Sequence, residues 1–434
     1  MAEIKPLRAW RYNPELQERL ESLVSPLFDV VSEKQRRHLY EEPLNSIHLS
    51  VPNGEDVSTI ASRKVIEWKN EGVIVQDQLP SIYVYYQHFT LPGSSHEHIR
   101  KGFIANLKIY DWDEKVLLRH ENTMPFSVED RIEVLDKTQM NVSPTHGLYT
   151  DSTHEIENYL DQAMTQPLYE TEDYQGVRDV FAVIHDAGII GRIVEIIKDK
   201  QIILADGHHR YEGSLLYKKR RQEQNPEHTG KEGYNYHMMY FTNTESDDLR
   251  ILPTHRMITG LADFDEEVLL KRLSSYFTIK TIDEAYSVNE VILGKKWAFG
   301  LLVGENAYKV RLKPEMIDTM EWKFPSAINQ LDLTVLHYFI IEKGLGIHGK
   351  EQRGSRNIYF ERNFAQCLQS VVSGEAQCAI ITKDISIDTV KEVCYSGYTL
   401  PQKSTYFYPK AICGFLFGSI KENEFNSFFD KSFE

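Results

Sequence analysis

A two-residue alternation rich in aromatic and β-branched side chains marks two runs, SIYVYYQHF from Ser81 to Phe89 and RKGFIANLKIY from Arg100 to Tyr110. It predicts two strands, and the polar stretch PGSSHEH between them makes a hairpin the simplest connection. Ahead of them, Val57, Ile60, Ala61, Val65, Ile66 and Trp68 recur near helical spacing, so residues 54–72 predict an amphipathic helix. The stretch SVEDRIEVLD predicts another helix, with Ser127 as its N-cap and Glu129 and Asp130 complementing the positive end of the helix dipole.

From residue 177 the pattern becomes strand, helix, strand, helix: VRDVFAVIH ending at His185, a helix around 188–198, the apolar run from Gln201 to Ala205, then a helix opening near Gly207. The run YNYHMMYFT ending at Thr242 predicts a further strand. A different segment follows, with a helix from Asp263 to Tyr276, strands near 298–312, a helix near 333–343, a strand ending at Thr382 and a helix from Ser386 to Cys394. The expected class is mixed α and β (α+β). A first domain is expected over residues 1–248 and a C-terminal α/β domain over 249–434, with a soft boundary near 245–255.

Composition narrows the partners. The chain has 434 residues, 41% of them hydrophobic, enough to bury a sizeable core. Its 49 Lys+Arg against 64 Asp+Glu give a formal charge of −15, which argues against a broad nucleic-acid surface. A small anion needs only one or two cations and some backbone N–H groups, so it stays in play. Cys367, Cys378, Cys394 and Cys413 match no zinc spacing and read as reduced core cysteines of a cytosolic protein. The N-terminus lacks an apolar signal region and no run of eighteen uncharged apolar residues occurs, so membrane insertion and secretion are not expected. Neither a Walker A motif nor G-x-G-x-x-G is present, which removes P-loop and Rossmann readings.

The densest chemistry is the DGHHR stretch, Asp206 to Arg210, between the apolar run ending at Ala205 and the helix carrying Leu215 and Leu216. A strand-to-helix turn exposes helix N–H groups that lack acceptors and carry the positive end of the dipole. Gly207 lets backbone approach an anion, His208, His209 and Arg210 add donors, and Asp206 suits a hydroxyl hydrogen bond or Mg²⁺. The plain alternative is an Asp-Gly turn followed by packed or solvated histidines. A zinc site is a further alternative, weakened because adjacent histidines diverge on a helix.

This turn resembles the nucleotide-phosphate loop of the ParB/sulfiredoxin superfamily, and within it that of the free-serine kinases, whose motif is DGHHR after an apolar strand. The segment LRHENT from Leu118 to Thr123 resembles the kinases' His-Glu pair, and YTLPQKSTYF from Tyr398 to Phe407 resembles their C-terminal Pro-Lys-Thr-Thr segment, in the same order. The chain is longer and looks like a member of the related large ParB-like family of unknown function. The resemblance implies a ParB/sulfiredoxin-like core and an ATP- or ADP-dependent, Mg²⁺-assisted phosphotransferase acting on a small amino acid, free L-serine first. It implies Gly207, His208, His209 and Arg210 on the nucleotide phosphates and Asp206 on the substrate hydroxyl or metal. Glu121 would be the general base, His120 would orient it, and Lys403, Ser404 and Thr405 would lie near the transferred group. The rival reading is a nucleotide-binding regulatory or DNA-associated protein without kinase activity.

One departure stands out. Where the kinases continue into Arg-His, this chain has Tyr406 and Phe407, and Lys410 or the LPTHR segment with His255 and Arg256 is the candidate replacement on the substrate side. Asn141 and Ser143 are candidates to line a pocket, Arg11 reads as stacked on an aromatic neighbour, and the basic run from Lys218 to Arg221 reads as a solvated helix face.

Overall fold

The computed structural model describes residues 1–27, 30–91, 93–173, 175–401 and 403–425. Two compact units emerge: the first is Met1–Arg250 together with the segment from Pro409 onward, the second is Ile251–Tyr408. The sequence expectation of a single division near 249 does not contain the return of the C-terminal segment to the first unit.

Among the described residues, the first unit is built on a nine-stranded mixed sheet. Its strands are Ile4–Lys5 (β1), Ile82–Thr90 (β2), Glu97–Lys108 (β3), Leu117–Arg119 (β4), Thr145–Tyr149 (β5), Tyr169–Glu172 (β6), Arg178–Ile184 (β7), Ile202–Asp206 (β8) and Tyr236–Asn243 (β9). They run in the order β4-β8-β5-β9-β3-β2-β7-β6, with β1 paired to β3 off that path. The expected hairpin is β2 with β3, antiparallel, Tyr83 opposite Ile104 and Thr90 opposite Glu97.

Both faces of this sheet are covered. Ile82, Val84 and Tyr86 join Phe103, Ala105 and Leu107 in one apolar cluster, while Tyr83, Tyr85 and Ile104 belong to another. Successive strand residues point to opposite faces, so burial on both sides explains why β2 reads as nearly continuous apolar and aromatic sequence.

The longer helices of this unit are Val57–Asn70 (α1), Pro125–Thr138 (α2), Glu155–Met164 (α3), Ala187–Lys198 (α4) and His208–Gln224 (α5). Helix α2 starts at Pro125 rather than after a Ser127 cap; Met124 holds the N-cap position without a side-chain bond, and the ring of Pro125 presets the first helical φ. Asp186 caps α4 by accepting from the Ile189 N–H, and Ile190, Ile193 and Ile197 bury its apolar stripe. Most strand pairs are antiparallel, but β8 runs parallel to β4 and β9 parallel to β5. Parallel neighbours end at the same edge of a sheet, and that edge carries the DGHHR turn.

The second unit holds an antiparallel sheet of His255–Ile258 (β10), Phe277–Ile282 (β11), Ala298–Val303 (β12), Asn306–Leu312 (β13), Ile358–Glu361 (β14) and Cys378–Ile381 (β15), ordered β11-β13-β12-β15-β10-β14. Phe299, Leu301 and Val303 pack on one side and Ala298 and Leu302 on the other, so this sheet too is buried on both faces. The helix expected at 333–343 is a short α-turn, Asp332–Val335, that widens into an i→i+5 helix over Leu336–Gly344. The strand leading into the unit, Arg250–Leu252, pairs with the strand leading out, Tyr406–Tyr408. All four cysteines are buried. Among the described residues no helix is long and apolar enough to cross a membrane.

Candidate functional site

Strand β8 ends in a bulge: Leu204 faces Gly147 and Asp206 faces His146, leaving Ala205 as the extra residue. A bulge bends its strand and re-aims the next side chain. Gly207 follows with φ +89°, and a Cβ there would sit 2.5 Å from Thr145 Cγ2. Glycine is therefore demanded by both conformation and space. Helix α5 opens at His208 with no side chain capping its first turn, while Tyr211 N–H already returns to the Gly207 carbonyl. Its leading N–H groups are of the kind that bind anions.

The Asp206 carboxylate is gripped from two sides. Arg210, one helical turn on, donates to Oδ2 at 2.9 Å, and the Lys410 ammonium donates to Oδ1. Burial pushes this carboxyl up, but Lys410 and Arg210 outweigh it and hold it well below the usual carboxylate range. Arg210 also donates to Ser143 Oγ at 2.9 Å and the Pro144 carbonyl at 2.7 Å. Its fork is thus turned inward, clamping the loop before β5 to the turn. Ser143, Arg210, Ser214 and His237 help line a cavity of about 40 Å³, where Arg210 Nε and His237 Nε2 have no protein partner among the described residues. Room and polarity there suit one buried water.

Lys410 is set in place by its own backbone. Gln87 Nε2 donates to the Lys410 carbonyl at 3.1 Å, and Arg100 donates to the carbonyl of Pro409. Gln87 Nε2 donates also to Asp179 Oδ1 at 2.9 Å, which accepts from the Tyr85 hydroxyl at 2.6 Å. Burial pushes Asp179 up to about 8 despite these two bonds.

The parallel pairing of β4 with β8 brings the second motif to the same edge. Leu118 lies opposite Ile203 and Arg119 opposite Leu204, so His120 and Glu121 emerge beside the turn. His120 is fully buried, edge-on to His208 with ring centroids 4.7 Å apart, and its Nε2 lies 4.0 Å from Glu121 Oε1. Burial lowers both histidines, His208 well below its ordinary value with the neighbouring His120 adding to the effect. Both are neutral near pH 7, so the His120–Glu121 approach is a polar contact rather than an ion pair. His208 Nε2 is buried without a hydrogen-bond partner among the described residues. His209 Nε2 accepts from the Met124 N–H at 3.0 Å, which fixes the tautomer with the proton on Nδ1 and ties the Glu121 loop to α5. His146, stacked on Tyr240 and 2.7 Å from Thr242 Oγ1, is held neutral by burial, with Arg100 reinforcing it.

The first unit therefore gathers His120, Glu121 and the residues from Asp206 to Arg210 at one edge, and adds Lys410, Ser143 and His146. Lys410 is legible only as a possible substitute cation, and His146 carries no signal. In the second unit, His255 Nδ1 accepts from the Thr382 N–H at 3.2 Å, and burial with Arg256 pushes it down to about 4. Arg256 is fully buried over the Phe360 ring at 5.4 Å. Lys403 has φ +57°, Ser404 is buried with its hydroxyl donating to the Pro401 carbonyl at 2.5 Å, and Thr405 is half-buried.

The chain is similar to a free serine kinase solved in complex with AMP, at 14% identity over 72% of this chain and 91% of that one, with a TM-score of 0.36. It is similar also to SbnI with a C-terminal truncation from Staphylococcus aureus, at 13% identity over 74% and 90% with a TM-score of 0.35. A conserved hypothetical protein from Pyrococcus furiosus is a third, at 13% over 68% and 87% with a TM-score of 0.33. No curated protein matches the sequence. Residues 4–334 match the family described as "Protein of unknown function (DUF1015)", and the chain belongs to that family.

Proposed function

We propose that this protein is a cytoplasmic nucleotide-dependent kinase that transfers a phosphoryl group from ATP or ADP to the hydroxyl of a small amino acid, free L-serine first. The observation that carries this reading is the parallel pairing of β4 with β8, which sets Glu121 beside the uncapped N-terminus of α5. The leading N–H groups of α5 and the buried His208 Nε2 receive the nucleotide phosphates. Glu121 takes the hydroxyl proton as the serine oxygen bonds to the terminal phosphorus, while the bridging P–O bond breaks and ADP or AMP leaves. Such transfer needs positioning and charge neutralisation more than covalent chemistry.

Asp206 does not fit a Mg²⁺ ligand, because both its oxygens are taken by cations; Mg²⁺ enters with the nucleotide as part of the substrate. Arg210 and Asp206 form the rigid floor of the turn.

The test incubates the purified full chain with serine and ATP or ADP plus Mg²⁺ and looks for O-phosphoserine by mass spectrometry. Product is expected, and Glu121→Gln is expected to lower the rate by about a hundredfold or more. Undiminished turnover in Glu121→Gln removes the base assignment. Nucleotide binding with no product from any amino acid reduces the site to a nucleotide-binding module.

A further inference from the structure

A second chemical cluster lies in the same unit, at the start of β3. His96, His98 and Asp248 each place one metal-ligating atom within 4.8 Å of the others. We infer that these three residues form a site for a divalent transition-metal ion of the Zn²⁺ class, independent of the phosphoryl-transfer reading.

His96 immediately precedes β3 and His98 is the second residue of that strand; their rings meet edge-on with centroids 4.6 Å apart. Glu97, between them, has Oε1 at 3.6 Å from His88 Nδ1. Asp248 comes from beyond β9: its Oδ2 accepts from the Ile99 N–H at 3.1 Å, and its Oδ1 lies 2.7 Å from His98 Nδ1. One oxygen is thus anchored by backbone while the other faces the imidazole, the kind of outer support that orients ligands in metal sites.

Two imidazoles and a carboxylate suit zinc and its neighbours, and three protein ligands leave a position for solvent. Ligand bonds of about 2.0–2.2 Å bring ligand atoms to roughly 3.4 Å apart in a tetrahedron. Asp248 Oδ1 and His98 Nδ1, 2.7 Å apart, must open to that spacing as the ion replaces their hydrogen bond, and the remaining closure falls to His96, whose side chain is exposed. Arg250 opposes the ion, since its guanidinium lies 3.3 Å from His98 Nδ1. Binding therefore requires that Arg250 swing away, and removing its charge strengthens the site.

The experiment is calorimetric titration of the metal-free full chain with Zn²⁺, with Co²⁺ absorption as a second readout of imidazole coordination. One site is expected, weakened about tenfold or more in His96→Ala and in Asp248→Asn. Arg250→Gln is expected to bind more tightly. Should Asp248→Asn fail to fold through loss of its Ile99 anchor, His96→Ala decides alone, since that side chain is exposed. Affinity and stoichiometry unchanged in His96→Ala, or weaker binding in Arg250→Gln, overturn the assignment.

Discussion

Asp179, fully buried, and Asp206, 13% exposed, are carboxyls of the same unit, joined through Gln87 and the Lys410 backbone, yet they lie on opposite sides of neutrality. Asp179 is met by a tyrosine hydroxyl and an amide, its Oδ2 has no partner among the described residues, and burial lifts it to about 8. Asp206 suffers the same desolvation, but an ammonium and a guanidinium each touch one oxygen and reverse the sign. Burial pushes both the same way; contact with a cation decides the outcome. The site edge is therefore a fixed charge cluster, whereas the sheet interior behind it holds a protonated acid.

The largest expected effect comes from breaking the charged member. Asp206→Asn removes the carboxylate that Arg210 and Lys410 share and is expected to cost about 3–5 kcal/mol in chemical denaturation. The reverse sign is expected at the other carboxyl. Asp179→Asn mimics the protonated acid and is expected to stabilise by on the order of 3 kcal/mol near pH 7. The pH dependence separates the two. With a folded pKa above the unfolded value of about 3.9, Asp179 contributes fully below about pH 4 and loses that contribution as pH rises through about 8, so the gain from Asp179→Asn grows across that window. Asp206, depressed on folding, contributes above about pH 4 and loses its contribution as pH falls toward its folded value.

A smaller change makes Asp206 more like Asp179. Lys410→Met removes one of its two cations and is expected to cost about 2 kcal/mol and to raise the Asp206 pKa, read by carboxyl NMR titration. An unmoved Asp206 resonance would show that Arg210 alone sets its charge. Smallest is Ser143→Ala, which deletes one of the bonds that hold the Arg210 fork and is expected to cost about 1 kcal/mol with nucleotide affinity nearly unchanged.

What the sequence reveals follows the range of each interaction. The β2–β3 hairpin, α4, β8 and the turn at Gly207 rest on local periodicity, a glycine and a cap, and all are readable from neighbouring residues. Helix α2 starts three residues before the position a Ser127 cap implies, because Pro125 outranks Ser127 as an initiator. His120 and Glu121 are visible as a pair, but their arrival beside Asp206 depends on the parallel register of β4 with β8, which no local pattern encodes. Arg210 reads as an anion donor from its place in the motif; its inward turn follows from Asp206 one helical turn earlier and from the Ser143–Pro144 loop, a contact across 66 residues. The Asp179, Gln87 and Arg100 network is scattered over three strands, each member looking like an ordinary polar residue of an alternating run.

The insertion of the second unit between Arg250 and Pro409 gives the turn a history in time. Asp206 and Lys410 are 204 residues apart in the chain, and at roughly 5–20 residues per second a ribosome needs about 10–40 s to travel between them. Through that interval the nascent first unit has Arg210 but not yet Lys410 to balance Asp206. The charge cluster at the sheet edge is thus among the last parts of the protein to be assembled, closing only after all of the second unit has been synthesised.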